Sequence, residues 1–337
     1  MKRLIFIIGA IWLLLSSCRH IPLDDIGEAR MSVRVVYDWV NAPEANPKGM
    51  SIFFYPEDGG YPYRYELKRD GGEVKLPVGR YRIITYSNDS HSTLPSDDDD
   101  FDKHVIFNYK DDCDLLRPVN RTAPQSLLDR MQLPEPISFA PTERMWGCSE
   151  LMAEVKEMEG EQVITLYPDK LLCDYKVTFT NVVNIDSPIW MCASLSGLSD
   201  AIYMGSCSVS EQSAIFPFLC EKIDDKTVEG TFMTFGNCES VLKEHKVRLI
   251  VYAKRYVLDE NGEPKLDENG KKIITSDYFV YDDDKMVVTT QVDEAEDRWN
   301  VHIIIDGIEF PDPISGDGGG MSIDVGNWDT EEWVIEA

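Results

Sequence analysis

The sequence predicts a mainly β protein: two tandem β-sandwich domains behind a removable N-terminal export segment. Three observations carry this expectation. Short stretches of alternating apolar and polar residues recur along the chain, bounded by Gly, Pro, Asn and Asp. The longest apolar run lies at the N-terminus and holds about a dozen residues, fewer than a membrane span requires. Beyond it, about 320 residues remain, more than one hydrophobic core usually organises. The expected divisions are an export signal at 1–17, a tether at 18–30, a first sandwich at 31–148 and a second at 149–337.

At the N-terminus, Lys2 and Arg3 precede an apolar stretch from residue 4 to residue 15, which ends in Leu15-Ser16-Ser17-Cys18. This run resembles the lipobox of bacterial lipoproteins. A lipobox implies cleavage before Cys18 and acylation of its thiol, with the lipid as the protein's contact with a membrane. Two other readings stay open: an ordinary secretory signal that leaves Cys18 free, and an uncleaved anchor. One acyl chain holds weakly and two or more hold stably. Export also places the remaining chain where disulfides are permitted.

Sixty acidic residues stand against 33 Lys and Arg, a net charge of -27. Loss of Lys2 and Arg3 makes the mature chain more negative still. Such a surface repels nucleic acid and anionic headgroups, so nucleic-acid binding is excluded. With Cys18 acylated, Cys113, Cys148, Cys173, Cys192, Cys207, Cys220 and Cys238 remain, an odd number that cannot all pair within one chain. No Cys-x-x-Cys is present, which removes the usual zinc and thioredoxin patterns. Disulfides and buried free thiols are both compatible with these spacings.

In chain order, residues 31–38 alternate as a strand, with Val33, Val35 and Tyr37 on one face. A loop at 41–49 leads to an apolar strand at 50–55, a Gly-containing turn at 57–60 and an alternating strand at 61–67. Asp70-Gly71-Gly72 turns the chain into 73–76. Then comes Leu76-Pro77-Val78-Gly79-Arg80-Tyr81, in which Gly79 is free to take positive φ, followed by a strand to Tyr86. This strand–turn–strand pattern resembles transthyretin-like and carboxypeptidase-regulatory-like sandwiches. The stretch 88–102, with Asp97-Asp98-Asp99-Asp100, reads as a solvated loop; the alternative calcium site lacks the Asp-x-Asp-x-Asp-Gly pattern. A strand is expected at 105–109, a short helix at 123–133 and an extended segment at 137–148.

The second block predicts strands at 163–167, 175–182, 190–195, 227–235 and 246–255, with a Ser/Gly loop at 194–200. Leu-Asp-Glu-Asn-Gly occurs at 258–262 and again at 266–270, and each Asn-Gly signals a hairpin turn. Acid spacing does not match a calcium loop there, so an exposed hairpin tip is expected. Further strands are expected at 278–281, 285–292 and 300–305. A Pro/Gly/Asp-rich stretch at 306–320 precedes strands at 321–325 and 328–337.

The five histidines, His20, His91, His104, His245 and His302, form no His-x-x-x-His pair. Neither a Gly-x-Ser-x-Gly elbow nor a phosphate-binding glycine loop is present. The sequence therefore predicts no catalytic site, cofactor or metal centre. Trp39, Tyr61, Tyr63, Tyr65, Trp190 and Trp299 are candidate sugar-stacking residues, with core or cross-strand packing as the alternative.

The lipobox, the Leu76–Tyr81 turn, the 194–200 loop and Ile323-Asp324-Val325-Gly326-Asn327-Trp328 together resemble lipoproteins of the Bacteroidales, and more distantly the anchor subunits of type V fimbriae. That resemblance implies two transthyretin-like or Ig-like domains behind a lipidated Cys18. It implies a place at the outer membrane, with the membrane face left open, and fimbrial partners that donate a strand. The expectation is a non-enzymatic cell-envelope lipoprotein, a fimbrial anchor or adhesion-related subunit. The alternative is a surface glycan- or ligand-binding lipoprotein. An open apolar groove along a sandwich favours the first; a row of exposed aromatics on one sheet face favours the second.

Overall fold

The computed structural model describes residues 30–108, 136–238 and 244–314. Cys18, His20, Cys113, the helix expected at 123–133 and the strands expected at 321–325 and 328–337 lie outside the described residues. The architecture is mainly β, built as two sandwiches with a fifth sheet joining them.

The first sandwich grows from the cleanest alternation. β1 (Arg30–Tyr37) buries Val33, Val35 and Tyr37. It pairs antiparallel with β4 (Gly71–Pro77) and parallel with β9 (Gln162–Leu166). The facing sheet runs β10 (Asp169–Lys170), β8 (Trp146–Val155), β5 (Gly79–Ser87), β2 (Met50–Pro56), β3 (Tyr63–Leu67). Met50, Ile52, Phe54, Val74, Leu76, Ile83 and Val155 fill the space between the two sheets. The expected break at 148 falls inside β8, and β8, β9 and β10 all pair within this sandwich.

β2 departs from alternation because both its faces are covered. Phe53 and Tyr55, on the face away from the first core, are as buried as Ile52 and Phe54. A sheet of β6 (Thr93–Ser96), β7 (Val105–Asn108), β13 (Ala201–Tyr203) and β14 (Ser208–Val209) packs there. Its Ile106 and Ile202 meet Phe53, Ile84 and Tyr86. Two of these strands precede residue 109 and two follow residue 200, so this sheet ties the halves of the chain together. β6 lies where a loop is expected at 88–102.

The second sandwich places β16 (Glu221–Asp224), β17 (Thr227–Thr234), β11 (Cys173–Thr180) and β20 (Asn300–Asp306) against β15 (Ser213–Leu219), β12 (Pro188–Ser199), β18 (Val247–Tyr256) and β19 (Ile274–Tyr281). Val177, Phe179, Leu195, Phe216, Leu249, Val251 and Ile303 form its core. The connectivity repeats that of the first sandwich. Order β4-β1-β9 corresponds to β17-β11-β20, and β8-β5-β2-β3 corresponds to β19-β18-β12-β15. In both, the first strand pairs parallel with the last.

Local chemistry explains several departures from expectation. Gly79 does not take positive φ; the Leu76–Tyr81 turn is fixed instead by the Tyr81 hydroxyl, which donates to the Pro77 carbonyl at 2.8 Å. Gly71 does need its freedom, with φ at 100° and a position where a Cβ would collide with the Val35 carbonyl. The 194–200 loop is the continuation of β12, bulged between Leu195 and Leu198 with Gly197 at φ 84°. The strand expected at 285–292 is a 3-10 turn (Asp284–Met286) followed by α1 (Thr289–Asp293). α1 lies against β20, and the Gln291 amide substitutes for a neighbouring strand there. Its Nε2 donates to the Ile304 carbonyl at 3.0 Å, and its Oε1 accepts from the Ile304 N–H at 2.8 Å.

The twin Leu-Asp-Glu-Asn-Gly segments form two successive turns beyond β18. Asp259 accepts from the N–H groups of Asn261 and Glu263, and Asp267 does the same for Asn269 and Lys271. These bonds lower the pKa of both carboxylates from its ordinary value. The tip is exposed, as expected.

Candidate functional site

A groove of about 1190 Å³ runs along the second sandwich where β15 comes down onto β17. Gly230 makes that approach possible: a Cβ there would strike the Phe218 ring and the Leu219 carbonyl. Pro217, Phe218 and Leu219 of β15, Ile223 of β16 and the segment Phe139-Ala140-Pro141 line the groove, joined by outward-facing Lys176, Glu229, Thr231, Met233 and His302. Behind it, Phe232 stacks between Phe218 at 4.7 Å and Tyr175 at 5.3 Å. This aromatic row makes the inner wall stiff and apolar.

β15 is the edge strand beside the groove. Residues 136–138 occupy only part of that edge: Ser138 donates to the Ile215 carbonyl and Ile215 donates to the Pro136 carbonyl. Past this bridge, no described strand pairs with the outer edge of β15, which faces away from β12, as far as Leu219, whose side chain is exposed. Side chains close two other edges among the described residues. Gln291 closes β20, and in the first sandwich the Gln162 amide bonds Glu154 and Lys156 on the outer side of β8. An exposed sheet edge with apolar flanks is suited to receive an extended peptide through main-chain hydrogen bonds.

Two ion pairs flank the groove. Arg144 grips Asp174 with two bonds of 2.8 and 2.9 Å, and Lys176 meets Glu229 at 2.8 Å. The Lys176 bond holds the Glu229 carboxyl below its ordinary range. Thr178 donates to Glu229 at 3.1 Å and lies 2.9 Å from Nε2 of His302. Here the acid holds the hydroxyl rather than orienting the imidazole, so the row lacks the nucleophile–base–orienter order of a hydrolase. Of the other histidines, His91 is exposed and His104 and His245 are core residues. Among the described residues, no three His, Cys, Asp or Glu groups converge as a metal-binding set.

The candidate aromatics do not assemble as one platform. Trp39 is buried, donating to the Arg69 carbonyl, and Tyr63 and Tyr65 pack edge-on against Tyr81 and Phe54. Tyr61 is exposed on a turn, and Trp299 carries Arg298 over its ring. A row the sequence reading missed crosses the outer face of the β12–β18–β19 sheet. Trp190 pairs with Tyr252, whose ring lies tilted against that of Tyr278 with centroids 4.7 Å apart. All three are half-buried. Alternation within β18 and β19 carries the signal for the tyrosines, but cross-strand register is invisible in sequence.

Six described cysteines are free thiols: Cys148, Cys173, Cys192, Cys207, Cys220 and Cys238. Burial pushes the Cys148 and Cys173 thiols up to about 12 and Cys220 well above its ordinary value. These are protonated, unreactive groups at neutral pH. Of these six, Cys207 alone is exposed.

Fold and groove define a tandem β-sandwich protein with an apolar edge cleft. By sequence, the chain belongs to the DUF5119 family, a domain of unknown function, whose profile matches residues 17–219. It is 33% identical over 82 residues to "Putative fimbrium anchoring subunit Fim4B" of Bacteroides ovatus, an alignment covering 24% of this chain and 24% of that relative. The match thus spans about a quarter of the relative's length. Its fold is similar to the crystal structure of a "putative adhesin" from Bacteroides ovatus, with a TM-score of 0.58 and 17% identity over 89% of this chain and 98% of the other. A more remote likeness is the fimbrial anchor protein Mfa2 of Porphyromonas gingivalis, with a TM-score of 0.48 and 12% identity over 82% of this chain and 91% of that one.

Proposed function

We propose that this chain is a non-enzymatic cell-envelope subunit of a fimbrial or adhesive assembly, held at the outer membrane by lipid on Cys18. In this role it receives an extended segment of a partner subunit in the β15 groove. The carrying observation is the apolar groove beside an edge strand that residues 136–138 cover only in part. The similarity to a fimbrium-anchoring relative supports it. No helix among the described residues is long and apolar enough to cross a membrane. The domain boundary that accompanies this reading lies at 171–172, between β10 and β11, rather than at 148.

The test is co-purification from cells that assemble fimbriae. The chain should recover a fimbrial subunit, and Leu219→Asp, at an exposed groove position, should abolish that recovery while leaving the circular dichroism spectrum unchanged. Equal recovery with both forms, or no fimbrial subunit with either, overturns the proposal. The Trp190–Tyr252–Tyr278 row favours a second reading, a glycan-binding envelope protein. That reading requires Trp190→Ala to reduce retention on a polysaccharide matrix.

A further inference from the structure

We infer that one end of the first sandwich rests on the membrane surface, as a zwitterionic headgroup-contacting face. The inference depends on the lipid anchor at Cys18 and adds to it a second, non-covalent contact made by folded residues.

Strand register puts four features at the same end. β1 begins at Arg30, opposite Pro77; β2 ends at Pro56, opposite Tyr81; β8 ends at Val155, opposite Gly79; β9 begins at Gln162, opposite Val33. This end therefore carries the start of β1 and three connections, at 57–62, at Val78 and at 156–161. Each connection projects an apolar side chain into water. Tyr61 is 73% exposed, Val78 52% and Met158 45%. Isolated exposed apolar residues are ordinary, but here every connection at one end has one. Arg30 sits 5.4 Å over the Tyr63 ring beside them. Tyrosine and arginine next to aliphatic tips make a typical interfacial set.

Position of the tether identifies what covers these tips. Cys18 precedes Arg30 by 12 residues, a contour of at most roughly 40 Å. The first described residue after the tether, Arg30, stands at the end that carries the apolar tips. The chain leaves for the second sandwich from the opposite end, after Leu166 pairs with Tyr37. A lipid on Cys18 draws the Arg30 end of the first sandwich toward the bilayer, and the apolar tips at that end are the surface it meets.

Charge selects the headgroup class. Arg80 pairs with Glu57, Arg34 with Glu161 and Lys156 with Glu154. With Asp58, Glu157 and Glu159 also at this end, six acids stand against four cations, Arg30, Arg34, Arg80 and Lys156. The small acidic excess fits an uncharged, zwitterionic surface and opposes an anionic one.

The test uses the full acylated chain in nanodiscs of phosphatidylcholine and phosphatidylethanolamine. Hydrogen exchange is compared with the unacylated Cys18→Ser chain free in solution. Backbone amides at 57–62, 78–80 and 156–161 should exchange about tenfold more slowly in the discs, with the 257–273 turns unchanged. The triple variant Tyr61→Ser, Val78→Ser, Met158→Ser should stay acylated and lose this slowing. Raising the phosphatidylglycerol content should reduce it. Unprotected tips in an acylated chain overturn this inference alone, as does protection that grows with phosphatidylglycerol. Absence of an acyl mass on the N-terminal peptide overturns the lipid anchor and this inference together.

Discussion

Lowering the pH should loosen the joint between the two halves of the chain, and His104 is the group to watch. Its imidazole is fully buried between the first sandwich and the joining sheet, edge-on to Phe53 at 4.8 Å. Tyr55 donates its hydroxyl to the Asp98 carbonyl, so Nδ1 of His104 carries the proton it gives to Tyr55 at 2.6 Å. Nε2 is then bare and accepts from Tyr86 at 3.2 Å. Burial lowers the pKa from 6.5 to about 4. Between these values the unfolded chain binds a proton that the folded chain refuses, so stability falls as pH drops from 6.5 to 4. The full difference amounts to about 3 kcal/mol, at most about 1.4 kcal/mol per pH unit. His104→Gln removes this titration while costing about 1–3 kcal/mol at pH 7 through the buried hydroxyls it leaves. Urea unfolding of both forms from pH 7 to pH 4 should show the gap between them closing as pH falls. A gap that stays constant refutes the assignment of a neutral, proton-refusing His104.

Three further outcomes follow from the same contacts. Tyr81→Phe removes the bond to the Pro77 carbonyl and should cost about 1 kcal/mol in urea unfolding, with the fold retained. Gln291→Ala frees the N–H and carbonyl of Ile304 on β20, and light scattering should show concentration-dependent self-association that the parent chain lacks. Native alkylation should modify Cys207 well before Cys148, Cys173, Cys192, Cys220 and Cys238, all of which react on denaturation.

Much of the fold was legible because strand alternation is a local property. Val33-x-Val35-x-Tyr37 and Val247-x-Leu249-x-Val251 announce both period and inward face. What escaped is non-local. β8, β9 and β10 belong to the first sandwich because they pair with β5, β1 and each other, and nothing in residues 146–170 states that partner. The joining sheet draws β6 and β7 together with β13 and β14 across about a hundred residues of sequence, so β6 reads as part of a loop, while β7 matches the strand expected at 105–109. α1 was mistaken for a strand because Met286, Val288 and Val292 are buried at even spacing. The groove is created by Gly230 facing Phe218, a contact between strands of different sheets. Pro217 and Phe218 alone give no hint of it.

Photocrosslinking at Leu219 tests the central claim most directly. A diazirine side chain placed there, in cells assembling fimbriae, samples the open edge of β15 from an exposed position inside the groove. The account predicts a crosslink to one defined terminal segment of a fimbrial subunit, and its loss when residue 219 is replaced by the diazirine in a chain also carrying Thr231→Trp, at an exposed groove position. A crosslink to no fimbrial subunit, or one that survives blocking of the groove, contradicts the account.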